Sequence, residues 1–138
     1  MKPGEPVFVD TGAWIALALT RDPLHERARA AWKALGEAGA HLYASVPVVI
    51  ETFTFLERNA RRDVALAWKD SLNELRRFEI LTCTPEDVEE AWPYFQRQDL
   101  HKLSAVDATS FAIMTREEIR VALAFDHHFA TVGFQLVG

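Results

Sequence analysis

Cysteine is nearly absent from this sequence, since Cys83 is the only one among 138 residues. A single thiol excludes an internal disulfide and a cysteine-rich metal site, and it fits a reducing compartment. Long apolar runs are also missing. No stretch reaches the roughly 18 to 20 apolar residues of a membrane span, and the N-terminus lacks the basic-then-apolar pattern of a signal peptide. We therefore expect a soluble, cytoplasmic protein with no membrane partner.

An excess of basic residues is missing as well, because the formal net charge is -5 at pH 7. Sequence-independent binding to DNA or RNA comes mainly from Lys and Arg that neutralise phosphates, which argues against a generic nucleic-acid coat. The six glycines match neither the Walker phosphate loop nor G-x-G-x-x-G, so the common nucleotide-binding loops are absent. The composition still permits an enzyme whose local acidic cluster recruits cations.

What is abundant is apolar residues, which form 49% of the chain and suffice for the core of a single domain over residues 1–138. Between five short apolar segments, stretches rich in Ala, Leu, Arg and Glu predict six helices. Apolar strands that alternate with helices indicate an α/β fold with a mainly parallel, four- to five-stranded sheet. The predicted strands, the last of them weaker, are PVFVD at 6–10, HLYAS at 41–45, FEILTC at 78–83, IRVALAF at 119–125 and FQLV at 134–137.

Prolines and capping residues mark the expected helix ends. Pro23 suits the start of the second helix, and the third begins near Pro47. The residues TPED at 84–87 have a capping pattern that opens the fifth helix, which Pro93 is expected to kink or end. The fourth and sixth helices are expected at about 61–77 and 104–117.

The segment VFVDTGAW at 7–14 contains Asp-Thr-Gly, the triplet found in the catalytic loop of aspartic proteases. In those enzymes the triplet lies between strands, whereas here the following residues have the pattern of an amphipathic helix. A single-lobe protease would also depend on a dimer for its second aspartate. We therefore interpret Asp10 as an acid at the carboxyl end of a strand, where open α/β sheets bind their ligands.

Three more acids are predicted to meet Asp10 at that edge of the sheet: Glu51, Asp107 and Asp126. Each aspartate alone has a structural explanation, because Asp is a good helix N-cap and Ser104-x-x-Asp107 is close to a capping box. Glu51 and Asp107, however, have apolar neighbours at helical spacing, where an unpaired carboxylate is costly.

A cluster of carboxylates on a half-buried surface repels itself unless a cation is present. Hard divalent cations prefer oxygen ligands, and a pair of them can activate a water and stabilise a leaving oxygen. The chemistry indicated is phosphodiester hydrolysis. Aspartyl-phosphate enzymes of the haloacid-dehalogenase type are a poorer match, because they require a second Asp where this chain has Gly12.

Four segments in order, VFVDTGAWIAL, VVIETFTFL, LSAVDATSFAIM and ALAFDHHFATVGF, resemble the PIN domain family and, within it, the VapC-type toxin ribonucleases of toxin-antitoxin pairs. The resemblance covers nearly the whole chain. It implies a three-layer α/β/α sandwich, a cleft that holds Mg²⁺ or Mn²⁺, and metal-dependent cleavage of RNA. It also implies a cognate antitoxin that covers the cleft, and a homodimer.

Carried over by position, Asp10, Glu51, Asp107 and Asp126 match the four acids of the family and are the expected catalytic metal ligands. Thr11 follows the first acid and is expected to support it, as is Ser104 for the third. Many relatives have Thr where this chain has Ala124, which makes Asp126 the least secure of the four.

Basic and imidazole side chains near these acids are weaker candidates. Lys102 and Arg116 flank the helix of Asp107 and are possible substrate contacts. For His127 and His128 a capping or surface role is preferred to a zinc site. The basic run Arg58, Arg61 and Arg62 is more typical of a solvated helix face than of a phosphate path. The alternative function is an inactive PIN-like domain that binds a protein or RNA.

Overall fold

The computed structural model describes residues 2–138, and within them the chain forms one five-stranded sheet. Every neighbouring pair of strands is parallel, and the strand order is β3-β2-β1-β4-β5. The strands are β1 (Pro6–Val9), β2 (His41–Ser45), β3 (Phe78–Leu81), β4 (Val121–Leu123) and β5 (Gln135–Val137). The predicted parallel α/β fold is confirmed, and the weak fifth strand is present.

Seven α-helices are found in the described part of the chain. They are α1 (Thr11–Ala18), α2 (His25–Glu37), α3 (Val46–Asn59), α4 (Arg62–Ser71), α5 (Pro85–Ala91), α6 (Ala105–Arg116) and α7 (His128–Thr131). Because parallel crossovers are right-handed, α1 to α4, which lead outward to β3, cover one face of the sheet. The helices α5 to α7 belong to crossovers that run the other way and cover the opposite face, which gives three layers.

The helices differ from the sequence expectation in three places. The second helix begins at His25 rather than at Pro23, and α4 stops at Ser71, followed by a 3₁₀ turn. The single turn α7 was not predicted, since four residues are too few to show helical periodicity. At Pro93 the expectation is confirmed, because α5 ends at Ala91 and the chain continues as a 3₁₀ helix over Trp92–Gln96.

The core lies around the central strand β1, where Val7, Phe8 and Val9 are fully buried. On one side, Trp14 packs edge-on against Trp32 and Trp68, with ring centroids 5.6 and 5.9 Å apart. Such edge-to-face pairs add to the energy of burial, so these tryptophans stabilise the fold. Within residues 2–138, the structure contains no helix with the length and apolarity to cross a membrane.

The strand order reverses between β1 and β4, because the chain leaves β1 toward β2 on one side and returns to β4 on the other. At such a switch point the loops after the two strands turn to opposite faces, which opens a crevice at their carboxyl ends. Asp10 follows β1 and Asp126 lies shortly after β4. The topology therefore brings two of the four predicted acids to the place where this class of fold binds ligands.

Candidate active site

The four predicted acids come from four different elements and lie close together. Asp10 joins β1 to α1, and its backbone N–H donates to the carbonyl of Leu123 in β4 at 3.0 Å. Glu51 lies in the second turn of α3 and Asp107 in the first turn of α6. The charge of Asp107 is close enough to be influenced by all three other acids. The structure therefore brings together the four carboxylates that the sequence separates by more than a hundred residues.

Two of these carboxyl groups are buried, Asp10 at 4% and Asp107 at 8% exposure. Burial is the main cause that raises the pKa of Asp10 to about 7, and the charges of Glu51 and Asp126 raise it further, against the backbone N–H groups of Thr11 and Gly12. Burial likewise raises the pKa of Asp107 to about 8, followed by the charges of Asp10 and Asp126. Near neutral pH and without a cation, this site therefore holds protons that ordinary aspartates would release.

Polar atoms without partners surround the same point. Oδ1 of Asp10 and Oγ1 of Thr11 are buried, and neither atom has a hydrogen-bond partner among the described residues 2–138. Buried oxygens are almost always paired, so unpaired ones mark a place where something else binds. The donor set consists of carboxylate and hydroxyl oxygens, which are the ligands that Mg²⁺ and Mn²⁺ prefer. The residues present therefore fit a hard divalent cation.

The capping explanations fit some of the acids but not Asp10. Asp10 occupies the N-cap position of α1, yet its side chain makes no capping hydrogen bond. The N-cap of α6 is Ser104, whose Oγ accepts from the backbone N–H of Asp107 at 3.0 Å. Asp126 does hold a turn, because its Oδ1 accepts from the backbone N–H of His128 at 2.9 Å. Ser104 therefore fixes the turn that carries Asp107, while Asp126 combines a structural contact with a place in the acid cluster.

The surroundings of Glu51 and Asp107 are not alike. Asp107 shares its face of α6 with Phe111 and Met114, both fully buried, as the spacing predicted. Glu51 is half-buried: its neighbours Val48 and Leu56 on α3 are fully buried, whereas Phe55 is 38% exposed. The inference that apolar neighbours bury Glu51 is therefore only partly correct, because Phe55 and the adjacent Ile50, which is 61% exposed, belong to an open surface.

That surface is a cleft of about 640 Å³ that runs from Glu51 along α3. Its lining is mostly apolar, with one cation, Arg58, near the far end. Other basic residues of this region are paired, Arg61 with Asp63 at 3.1 Å and Arg62 with Glu57 at 2.9 Å. The solvated-face interpretation therefore holds for Arg61 and Arg62, whereas Arg58 faces the cleft beside the acids.

The two weaker substrate candidates have different positions. Lys102 is exposed in the loop that precedes α6, two residues before Ser104. Arg116 is at the other end of α6, about 13 Å along the helix from Asp107. Its guanidinium donates to Asp87 at 2.5 Å and to the carbonyl of Thr82 at 3.2 Å. Arg116 is thus engaged in joining α6 to α5, which argues against a role in substrate contact.

Sequence reasoning missed the position of His128. The neighbouring His127 is an exposed surface residue as expected, but the His128 side chain is only 7% exposed and its Nδ1 lies 3.0 Å from Oδ1 of Asp126. Asp107, Asp126 and His128 each offer a ligand atom within 4.8 Å of the others. The surface interpretation is therefore wrong for His128. Two adjacent histidines carry no signal of which one turns inward, since that depends on the single turn α7.

Known proteins match this chain over nearly its whole length. A family model described as PIN domain matches residues 7–135. The 23S rRNA-specific endonuclease VapC20 of Mycobacterium tuberculosis, known from two strains, is 36% identical over 129 residues, which are 93% of this chain and 95% of the relative. The residues that the family model matches include all four acids of the site.

Solved structures agree with this match. The crystal structure of Mycobacterium tuberculosis VapC20, a sarcin-ricin loop cleaving toxin, aligns with a TM-score of 0.82 and 33% identity over 93% of this chain and 95% of VapC20. VapBC2 from Rickettsia felis, bound to a DNA fragment from its promoter, aligns with a TM-score of 0.70 over 95% and 96% of the two chains. At 12% identity the second match concerns the fold alone. The fold, the family model and the relatives agree, and the chain belongs to the PIN domain family.

Proposed function

We propose that this protein is an Mg²⁺- or Mn²⁺-dependent endoribonuclease that acts as the toxin of a VapC-type toxin-antitoxin pair. The observation that carries the proposal is the cluster of four acids at the switch point, with two buried carboxyls of raised pKa and unpaired oxygens. A site of this kind is unfavourable for folding and is therefore retained for function. The relative VapC20 carries the name of a 23S rRNA-specific endonuclease, which supports the reaction class.

In this proposal Asp10 and Asp107 are the direct ligands, and Glu51 and Asp126 complete the site. A divalent cation held by these residues would lower the pKa of a water and stabilise the leaving oxygen of the phosphodiester. The chain's own contribution is to fix the backbone at two of these acids, Asp107 through Ser104 and Asp10 through its contact with Leu123 of β4. Thr11, buried beside Asp10, orients a carboxylate or a water with its free hydroxyl.

The RNA would approach along the cleft beside Glu51. Arg58 lines this cleft and Lys102 is exposed before α6, and both can neutralise phosphates. Since the net charge is -5, these local cations matter more here than in a basic protein. A hairpin with the sequence of the sarcin-ricin loop of 23S rRNA is the first substrate to test, given the description of VapC20.

We also propose a cognate antitoxin and a homodimer. The antitoxin would place an Arg or Lys among the four carboxylates, which would neutralise their charge as a metal cation would. The homodimer is proposed from the resemblance to VapC-type toxins alone, because the exposed apolar residues Val46, Ile50 and Phe55 of α3 line the cleft that the RNA would enter. Light scattering of the native chain should give a dimer, and a monomer would contradict this proposal.

Cleavage of RNA by purified protein tests the proposed function. The sarcin-ricin hairpin and a mixed RNA pool are incubated with Mg²⁺, with Mn²⁺ and with EDTA. We expect cleavage only with a cation, and none by Asp10→Asn. Asp63→Asn is the matched control, because Asp63 is an exposed acid of α4 paired with Arg61. Failure of the folded, antitoxin-free protein to cut either RNA would favour the inactive, binding-only alternative.

A further inference from the structure

The ring of His128 is buried beside the acids, yet Nδ1 has no hydrogen-bond partner among residues 2–138. It lies 3.0 Å from Oδ1 of Asp126, but the two atoms are not aligned for a hydrogen bond. That oxygen accepts instead from the backbone N–H of His128. Since buried polar atoms are nearly always paired, the free nitrogen needs an explanation.

The position of the His128 ring suits a shared cation. Ligand atoms of Asp107, Asp126 and His128 all lie within 4.8 Å of one another. Two ligands on opposite sides of one ion, at about 2.0 to 2.2 Å each, are separated by roughly 4.2 Å. The three atoms, none more than 4.8 Å from another, are therefore close to the spacing of one coordination sphere.

The His128 ring is held in place by the core. Its neighbour Phe129 is fully buried and packs edge-on against Phe111 of α6, with ring centroids 4.9 Å apart. Phe111 is one helical turn after Asp107 and lies on the same face of α6. The contact between the two phenylalanines therefore fixes the turn that carries His128 relative to the helix that carries Asp107. A ligand set that is positioned in advance in this way binds an ion at a lower entropic cost.

We infer that His128 supplies a nitrogen ligand to the cation that Asp107 and Asp126 hold, an inference that rests on the proposed function for the presence of that cation. The site then has one nitrogen among its oxygen donors. Imidazole suits transition metals, whereas Mg²⁺ is satisfied by oxygens and water. The consequence is a preference for Mn²⁺ over Mg²⁺ that the four acids alone would not give.

Electron spin-echo spectroscopy of Mn²⁺ bound to the full chain tests this inference without measuring activity. A directly bound imidazole gives a ¹⁴N modulation, which should change to the ¹⁵N pattern when the protein is labelled with ¹⁵N-histidine. The native protein needs no substitution for this result. Bound Mn²⁺ without a histidine nitrogen signal would overturn the inference. If the native chain binds Mn²⁺ and Asp10→Asn does not, the proposed function would still stand.

Two variants identify the histidine. His128→Gln should lose the nitrogen signal and bind Mn²⁺ at least about 10-fold more weakly by calorimetry, with a smaller change for Mg²⁺. His127→Gln is the matched control, because His127 is the adjacent residue and its side chain is 83% exposed. Circular dichroism checks that both variants fold. A signal that persists in His128→Gln, or that disappears in His127→Gln, would contradict the assignment, and a chain that binds no Mn²⁺ at all would overturn both proposals.

Discussion

Two buried aspartates of this protein occupy the same local motif and have opposite environments. Asp87 and Asp107 are both the third residue of a helix whose N-cap is Thr84 or Ser104, and they are 4% and 8% exposed. Asp87 accepts from Arg116 at 2.5 Å and from the backbone N–H of Thr84 at 2.8 Å. Asp107 faces three other acids, and its pKa is raised to about 8 by burial and by their charges.

The difference separates Asp87, a structural acid, from Asp107, the acid that we propose binds a cation. The buried charge of Asp87 is compensated by a cation and a hydrogen bond, so it stabilises the fold by joining α5 to α6. The burial of Asp107 is not compensated by any cation of the chain among residues 2–138. A protein retains such an arrangement where an external cation completes it, and stability is then given up for activity.

The largest effect is expected from Asp107→Asn, which removes a proposed ligand of the cation. We expect RNA cleavage to fall by at least about 100-fold, because a direct ligand is worth more than an outer-shell partner. The metal-free protein should at the same time become more stable at pH 8, since a neutral amide does not repel the other acids. Cleavage assays and urea unfolding in EDTA measure the two effects. A variant that keeps its activity would remove Asp107 from the site.

Metal-free stability should depend on pH with the sign set by the raised pKa values. The folded pKa values of Asp10 and Asp107, about 7 and about 8, lie above the ordinary value of 3.8. Between these limits the folded state binds more protons than the unfolded state, so stability falls as pH rises from about 4 to 8. Urea unfolding in EDTA at several pH values measures this loss of stability.

Two controls test whether the acids of the site cause this pH dependence. Asp107→Asn should flatten the slope, because one of the two titrating groups is gone. Saturating Mn²⁺ should reverse it, since a cation favours the deprotonated carboxylates. A metal-free stability that increases over the same pH range would mean that these carboxyls are not protonated in the folded protein.

The structural role of Asp87 is tested by Asp87→Ala, which leaves Arg116 without its main partner. We expect a loss of about 1 to 3 kcal/mol in the free energy of unfolding, the cost of a charge-assisted hydrogen bond. Cleavage per folded molecule should stay unchanged when the cation is saturating. Asp70→Ala is the control, because its pair with Lys69 is largely exposed and should contribute under about 1 kcal/mol. A large loss of cleavage in Asp87→Ala would mean that the two aspartates are not functionally distinct.

The smallest effect is expected from the cations beside the cleft. Arg58→Ala and Lys102→Ala should each raise KM for RNA by about 3- to 10-fold and reduce its salt dependence, since each removes one phosphate contact. Arg62→Ala is the matched control, because Arg62 is on the same surface but is paired with Glu57. Equal effects of all three substitutions would indicate general electrostatic attraction rather than contacts at the cleft.

Much of the fold followed from the sequence because its signals are local. The strand segments, the capping box at Thr84 and Asp87, and the change of helix type at Pro93 depend on neighbouring residues, and all are confirmed. The family was also predicted, from four motifs in order, and the comparisons confirm it. The roles of the four acids, Thr11 and Lys102 stay predictions that the experiments above address.

The sequence by itself determined which residues form strands and helices and which acids stand at strand ends, because periodicity and capping act over a few residues. Tertiary structure alone decided which charges meet. The pattern Thr84 to Asp87 and the pattern Ser104 to Asp107 are nearly the same, and only packing gives Asp87 the guanidinium of Arg116 and gives Asp107 three carboxylates. Packing also turned His128 inward and left His127 outside. Electrostatic energies depend on distance and burial, and neither is fixed by the order of residues along the chain.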